Sequence, residues 1–160
     1  ARFVLSNICV TDEEFGAAEE WLEQVLDEFP RDVGAMNDLG YLFADRGKQL
    51  ERSLRMVNRA VEVEPNNEAY LDSVGWTLFK LGRFEEALKY LEKASDRENP
   101  DGVILDHLGD VYWQMKRHVE ATDTWQRAMK AFEHAKNPSQ RRITADKIER
   151  YRSSRLKTED

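Results

Sequence analysis

Hydrophobic and polar positions along this chain recur in blocks of 34 to 35 residues. Around Gly40 the sequence reads NDLGYLFADRG, around Gly75 DSVGWTLFKLG, and around Gly109 DHLGDVYWQMK. A second apolar-periodic stretch follows each phrase and closes on an alanine: Ala60, Ala94 and Ala128. The middle block is the clearest. Leu71, Val74, Gly75, Leu78 and Leu81 recur at helical spacing, Gly82 interrupts, and Phe84, Ala87, Leu88, Leu91 and Ala94 resume the pattern. That order predicts helix, turn, antiparallel helix, with Gly75 and Ala87 small where the two helices approach closely. Asn67 after Pro65, and Asp101 after Pro100, are placed to cap the helices that follow. Self-similarity at this period predicts an all-α, right-handed superhelical solenoid of antiparallel helix pairs.

The departures from the period are small. One extra residue near Lys48–Leu50 puts Ser53 where the next block has Ala87, and Lys116–Arg117 replaces the glycine turn of the third block. Upstream, Phe15, Ala18, Leu22, Val25 and Pro30 match the second half of a further block. The segment 3–10 (FVLSNICV) has a strand-like composition, but its register sets Leu5 and Ser6 at the places of Val74 and Gly75, the end of a truncated helix. Beyond Phe132, Asn137–Pro138–Ser139 breaks the pattern and restarts a helix. On that helix Ile143, Ile148, Tyr151 and Leu156 form a thin stripe, enough to cover the exposed flank of a last hairpin. The expected division is a truncated repeat at 1–32, repeats at 33–67, 68–101 and 102–135, and a basic capping helix at 138–157. The chain reads as a fragment of a longer repeat protein.

Charge narrows the class of partner. The net charge is −7, but residues 138–157 carry seven bases against two acids, so residues 1–137 hold about −10. An acidic body argues against nucleic acid and anionic membrane, which require a positive footprint. No apolar run is long enough for a membrane span. The lone Cys9 excludes an intramolecular disulfide and reads as a small core residue. The compartment stays open between cytoplasm and bacterial periplasm or envelope.

The repeated residues resemble the tetratricopeptide repeat family. Its Leu-Gly, aromatic, small, Ala and Pro pattern is met by Leu71, Val74–Gly75, Leu78, Ala87, Leu91 and Ala94 after Pro65, and by Leu105, Leu108–Gly109, Tyr112, Ala121, Trp125 and Ala128. The resemblance covers about residues 1–135 and implies a scaffold that binds a protein or peptide on its inner face. The run from Asn37 to Ala94 is similar to bacterial members, including envelope lipoproteins that act as adaptors. The family's best-known peptide clamp grips a terminal carboxylate with Lys and Asn. The matching places here hold Asn37 and Tyr41, Asp72 and Trp76, and Asp106 and Asp110, which does not suit a carboxylate.

Candidate chemistry is otherwise sparse. His107 and Asp110 share one helical turn, but a metal site needs three or four ligands and no second pair at ligand spacing accompanies them. No phosphate-cradling glycine loop occurs, and no catalytic, cofactor or metal residues are assigned. Trp21 and Trp125 fall at packing positions of second helices. Tyr41, Trp76, Phe79 and Trp113 fall on the first-helix face that lines the concave surface of such a solenoid, with Asn37, Asp38, Asp45, Asp72, Asp106 and Asp110. The expected function is therefore a non-catalytic interaction module. Its groove takes a protein or peptide segment with Lys or Arg beside an apolar anchor. The competing reading is a structural or self-associating segment of a larger protein. Reversing Asp72 and Asp106 to Lys is expected to abolish binding of a basic partner without unfolding the chain.

Overall fold

A computed structural model describes residues 12–156 of the chain, with side chains for residues 14–151. Cys9 and the expected truncated helix at Leu5–Ser6 lie outside the described residues, as does the Leu156 side chain. The described part is all-α and falls into two compact units, divided in the chain at Ala94–Ser95.

The first unit holds α1 (Asp12–Glu28), α2 (Val33–Asp45), α3 (Leu50–Val63), α4 (Glu68–Lys80) and α5 (Phe84–Ser95). The starts of α2 and α4 are set by side-chain caps: Asp32 Oδ1 accepts from the Ala35 amide at 2.8 Å, and Asn67 Oδ1 from Ala69 and Tyr70 at 3.0 and 3.3 Å. Turns close on a left-handed residue, Gly47 at φ 65° and Gly82 at φ 75°. In both, the next amide returns to a carbonyl five residues back, Lys48 to Phe43 at 2.8 Å and Arg83 to Leu78 at 2.9 Å. The extra residue of the first block is Gln49, absorbed as a further left-handed residue (φ 44°) before α3.

Close helix approach explains the recurring spacing of small residues. A Cβ on Gly40 would lie 2.7 Å from Val57 and one on Gly75 2.5 Å from Leu91, while Ser53 and Ala87 are fully buried. Ser53 brings a hydroxyl into that core and satisfies it, donating to the Gly40 carbonyl at 2.6 Å and lying 3.0 Å from Thr77 Oγ1. Leu22, Ala35, Leu39, Leu42 and Phe43 form the apolar centre against α1. Trp21 does not join it. The residue stands 56% exposed, because Leu22 takes the inward position one step along α1.

The second unit holds α6 (Gly102–Gln114), α7 (His118–His134) and α8 (Pro138–Leu156). Asp101 caps α6 through the Val103 amide at 2.7 Å, and Asn137 Oδ1 accepts from the Gln140 amide at 3.2 Å in the first turn of α8. Its turns have the geometry of the glycine turns without glycine. Lys116 (φ 63°) and Lys136 (φ 54°) adopt the left-handed conformation, and Arg117 and Asn137 donate back to Tyr112 and Phe132 at 2.9 and 2.8 Å. Gly109 admits the Trp125 indole, which lies 2.4 Å from where a Cβ would stand, and Trp125 is buried as its spacing predicts. Helix α8 packs on this pair through part of the expected stripe, Ile148 and Tyr151. Ile143 is 50% exposed, whereas Thr144 and Ile148 are buried.

Candidate functional site

On the first unit, α2 and α4 bring part of the expected acidic and aromatic set together. Trp76 Nε1 donates to Asp45 Oδ1 at 3.3 Å, and Lys80 Nζ donates to the Asp45 carbonyl at 3.1 Å while lying 4.8 Å from the Trp76 ring centroid. Phe79 stacks on Trp76 at 4.9 Å with the rings 6° from parallel, and Phe84 tilts against Phe79 at 5.6 Å. The set is thus a stacked aromatic pair with a cation on one face and a carboxylate at the indole edge. Asn37 is buried and donates to Asp38 Oδ1 at 3.2 Å, with Asp38 and Tyr41 half-buried beside it. Asp72 is only 2% exposed and belongs to the interior rather than the surface. Asp45 is the exposed acid of the group, and Phe79 the half-exposed ring.

On the second unit, Asp106, Asp110 and Trp113 line one side of α6, and α8 lies on them. Lys147 places its ammonium between both carboxylates, 2.6 Å from Asp106 Oδ2 and 2.8 Å from each oxygen of Asp110. Thr144 donates to Asp106 Oδ1 at 2.7 Å, and the Trp125 indole donates to Asp110 Oδ1 at 3.1 Å. Tyr151 meets Trp113 edge-on at 4.8 Å, and the His118 ring sits 4.5 Å from Trp113 and 5.6 Å from Tyr151. Ile148 closes the contact against Ala121 and Trp125. Residues 144, 147, 148 and 151 form one stripe of α8 at helical spacing.

Titration follows this geometry. Burial pushes the Asp110 carboxyl above its ordinary value, Lys147 pulls it back only partly, and neighbouring Asp106 adds to the rise. For Lys147, burial alone would lower the ammonium, but the two carboxylates together outweigh it and the net direction is up. The Lys147 ammonium is therefore held against the cost of burial by the two carboxylates rather than by water.

Thr144, Lys147 and Tyr151 lie outside the set of site residues that the sequence predicts. Their signal is the Thr-x-x-Lys-Ile-x-x-Tyr spacing, which is less apolar than the stripe through Ile143 and so stands out less.

The repeated helix pairs, caps and turns define a class, helical-repeat arrays that act as scaffolds for protein interactions. The Tetratricopeptide repeat family model matches residues 69–97. A TPR repeat-containing protein of Pseudomonas aeruginosa, PA4667, is 34% identical over 92 residues, covering 58% of this chain and 15% of that protein. The chain thus spans about a seventh of the length of that curated relative. Among solved structures, MamA AMB-1 is 26% identical with a TM-score of 0.58, covering 72% of this chain and 68% of that one. MamA 41-end from Desulfovibrio magneticus RS-1 is 17% identical with a TM-score of 0.63, over 76% of this chain and 68% of that one, a likeness of fold. These likenesses support a protein of the tetratricopeptide repeat family.

Proposed function

We propose that the chain is a non-catalytic interaction scaffold whose acidic, aromatic first-helix faces bind a protein or peptide segment carrying Lys or Arg beside an apolar anchor. One observation carries the reading. The chain's own α8 sits on such a face through Lys147 between Asp106 and Asp110 and through Tyr151 on Trp113. The first unit offers the same chemistry in Tyr41, Asp38, Asp45 and Phe79, beside the buried Asn37, Asp72 and Trp76.

Burial changes the choice of probe. Reversing Asp72 or Asp106 would bury an ammonium and unfold the unit rather than report on binding. Asp38→Lys with Asp45→Lys moves the change to a half-buried and an exposed position. Peptides selected by display on the full chain should be rich in Lys or Arg next to an aromatic or aliphatic residue, and binding should be lost in this double variant while helix content is kept. Selection of acidic peptides, or unaltered binding by the variant, would overturn the reading. Trp21 and Phe29, both more than half exposed on and just after α1, favour a second use of that end of the first unit as a packing surface for further protein. Sedimentation of Trp21→Ser against the parent tests it: self-association that persists unchanged excludes Trp21 from the contact.

A further inference from the structure

Resting on that reading, we propose that α8 is a tethered ligand held on the acidic face of the second unit, displaced by an external helix with its own pattern, Thr-x-x-Lys-Ile-x-x-Tyr. The contact joins an apolar anchor to a set of polar recognition groups. Among the described side chains of α8, Ile148 is buried against Ala121 and Trp125, and Thr144, Lys147 and Tyr151 bring a hydroxyl, an ammonium and a phenol ring onto two carboxylates and an indole. The faces of α8 carrying Arg141, Arg142, Ile143, Asp146, Glu149 and Arg150 remain exposed. Its tether is a short turn through Lys136, held in the left-handed conformation. The face itself carries the carboxylates of Asp106 and Asp110, so its charge favours a basic occupant. The occupant is therefore an amphipathic basic helix of another protein. Its Lys takes the place of Lys147, and an aromatic residue four positions later takes the place of Tyr151.

A tether this short gives α8 an effective concentration of about millimolar, so an external helix competes poorly until α8 is released. The probe is a labelled synthetic peptide with the sequence of residues 138–157, titrated against the full chain by fluorescence anisotropy. Lys147→Glu in the chain sets a third negative charge beside Asp106 and Asp110 and should release α8, raising peptide affinity by at least about tenfold over the parent. Arg150→Glu, on an exposed face, should leave affinity at the parental level. A peptide bearing Lys147→Glu should not bind. Combining Asp110→Lys with Lys147→Asp should re-dock α8 and restore amide-exchange protection across residues 138–151, which separates release from unfolding. Amide exchange across residues 138–151 of the parent should quicken as saturating peptide displaces α8. Equal affinity of parent and Lys147→Glu chains, or peptide binding without faster exchange in α8, overturns the proposal. These outcomes concern the second unit alone, so the Asp38 and Asp45 variants of the first unit can fail or succeed independently.

Discussion

Each glycine in this chain is asked a different question by its surroundings. Gly40, Gly75 and Gly109 recur because a side chain from the paired helix occupies the space of their missing Cβ: Val57, Leu91 and Trp125 in turn. Gly109→Ala meets the Trp125 ring at 2.4 Å and should cost about 1–3 kcal/mol, with Gly75→Ala similar, by urea denaturation. Around Gly16 in α1 nothing lies within 4 Å of the place a Cβ would take, so Gly16→Ala should stabilise by about 0.5–1 kcal/mol through helix propensity. A Gly109→Ala variant as stable as the parent would break the assigned register. The close approach at Gly75 was readable from sequence, but the residue filling it is Leu91 rather than the facing Ala87. Trp21 shows the opposite limit. An indole at an approximate helical register reads as core, yet a shift of one residue to Leu22 turns it to solvent.

Helices were legible because caps and turns obey local rules. Asn67 and Asp101 cap as their chemistry demands, and the loss of glycine at the third turn is absorbed by Lys116 at φ 63°. Helix α8 was legible as a helix and only partly in its orientation, Ile148 and Tyr151 facing inward as expected. Its contact face is chosen by two carboxylates, so Thr144 and Lys147 turn inward and Ile143 turns out. Removing one partner from such a triad leaves two neighbouring carboxylates uncompensated. Lys147→Ala should destabilise the second unit by about 2 kcal/mol, below the figure for fully buried pairs because the Lys147 side chain keeps 26% exposure. The pH response has a definite sign. The Lys147 pKa is raised on folding, so its contribution is complete below the ordinary value of 10.5 and is lost as pH climbs through the higher folded value. Asp110 is also raised, by burial first, with Lys147 acting against that rise, so protonating Asp110 as pH falls favours the folded unit. Asp106 adds to the rise and His107 acts against it. Exchange protection of α8 should therefore fall in alkali rather than in mild acid, and Lys147→Arg, which stays charged, should remove the alkaline step.

At the scale of the molecule the governing quantity is the separation of charge, about −10 over residues 1–137 against a basic final helix. It was visible in composition, while the pairing of Lys147 with Asp106 and Asp110 needed coordinates because residues 106 and 147 are distant in sequence. Salt should separate the two kinds of contact this charge makes. Asp45 stands at the surface, where an ion pair is worth about 0–1 kcal/mol and is screened over roughly 8 Å at physiological ionic strength. A basic peptide held there should bind with about micromolar affinity, the aromatic contact supplying most of it. Its affinity should fall several-fold as salt rises through the physiological range. The Lys147 triad is mostly out of water, with Asp106 and Asp110 side chains only 10% and 16% exposed, so screening reaches it far less. Protection of α8 in hydrogen exchange should then change little over the same salt range in which peptide binding to the first unit decays. Parallel loss of both would mean that α8 is held by surface charge alone, and the inward geometry of Lys147 would have to be abandoned.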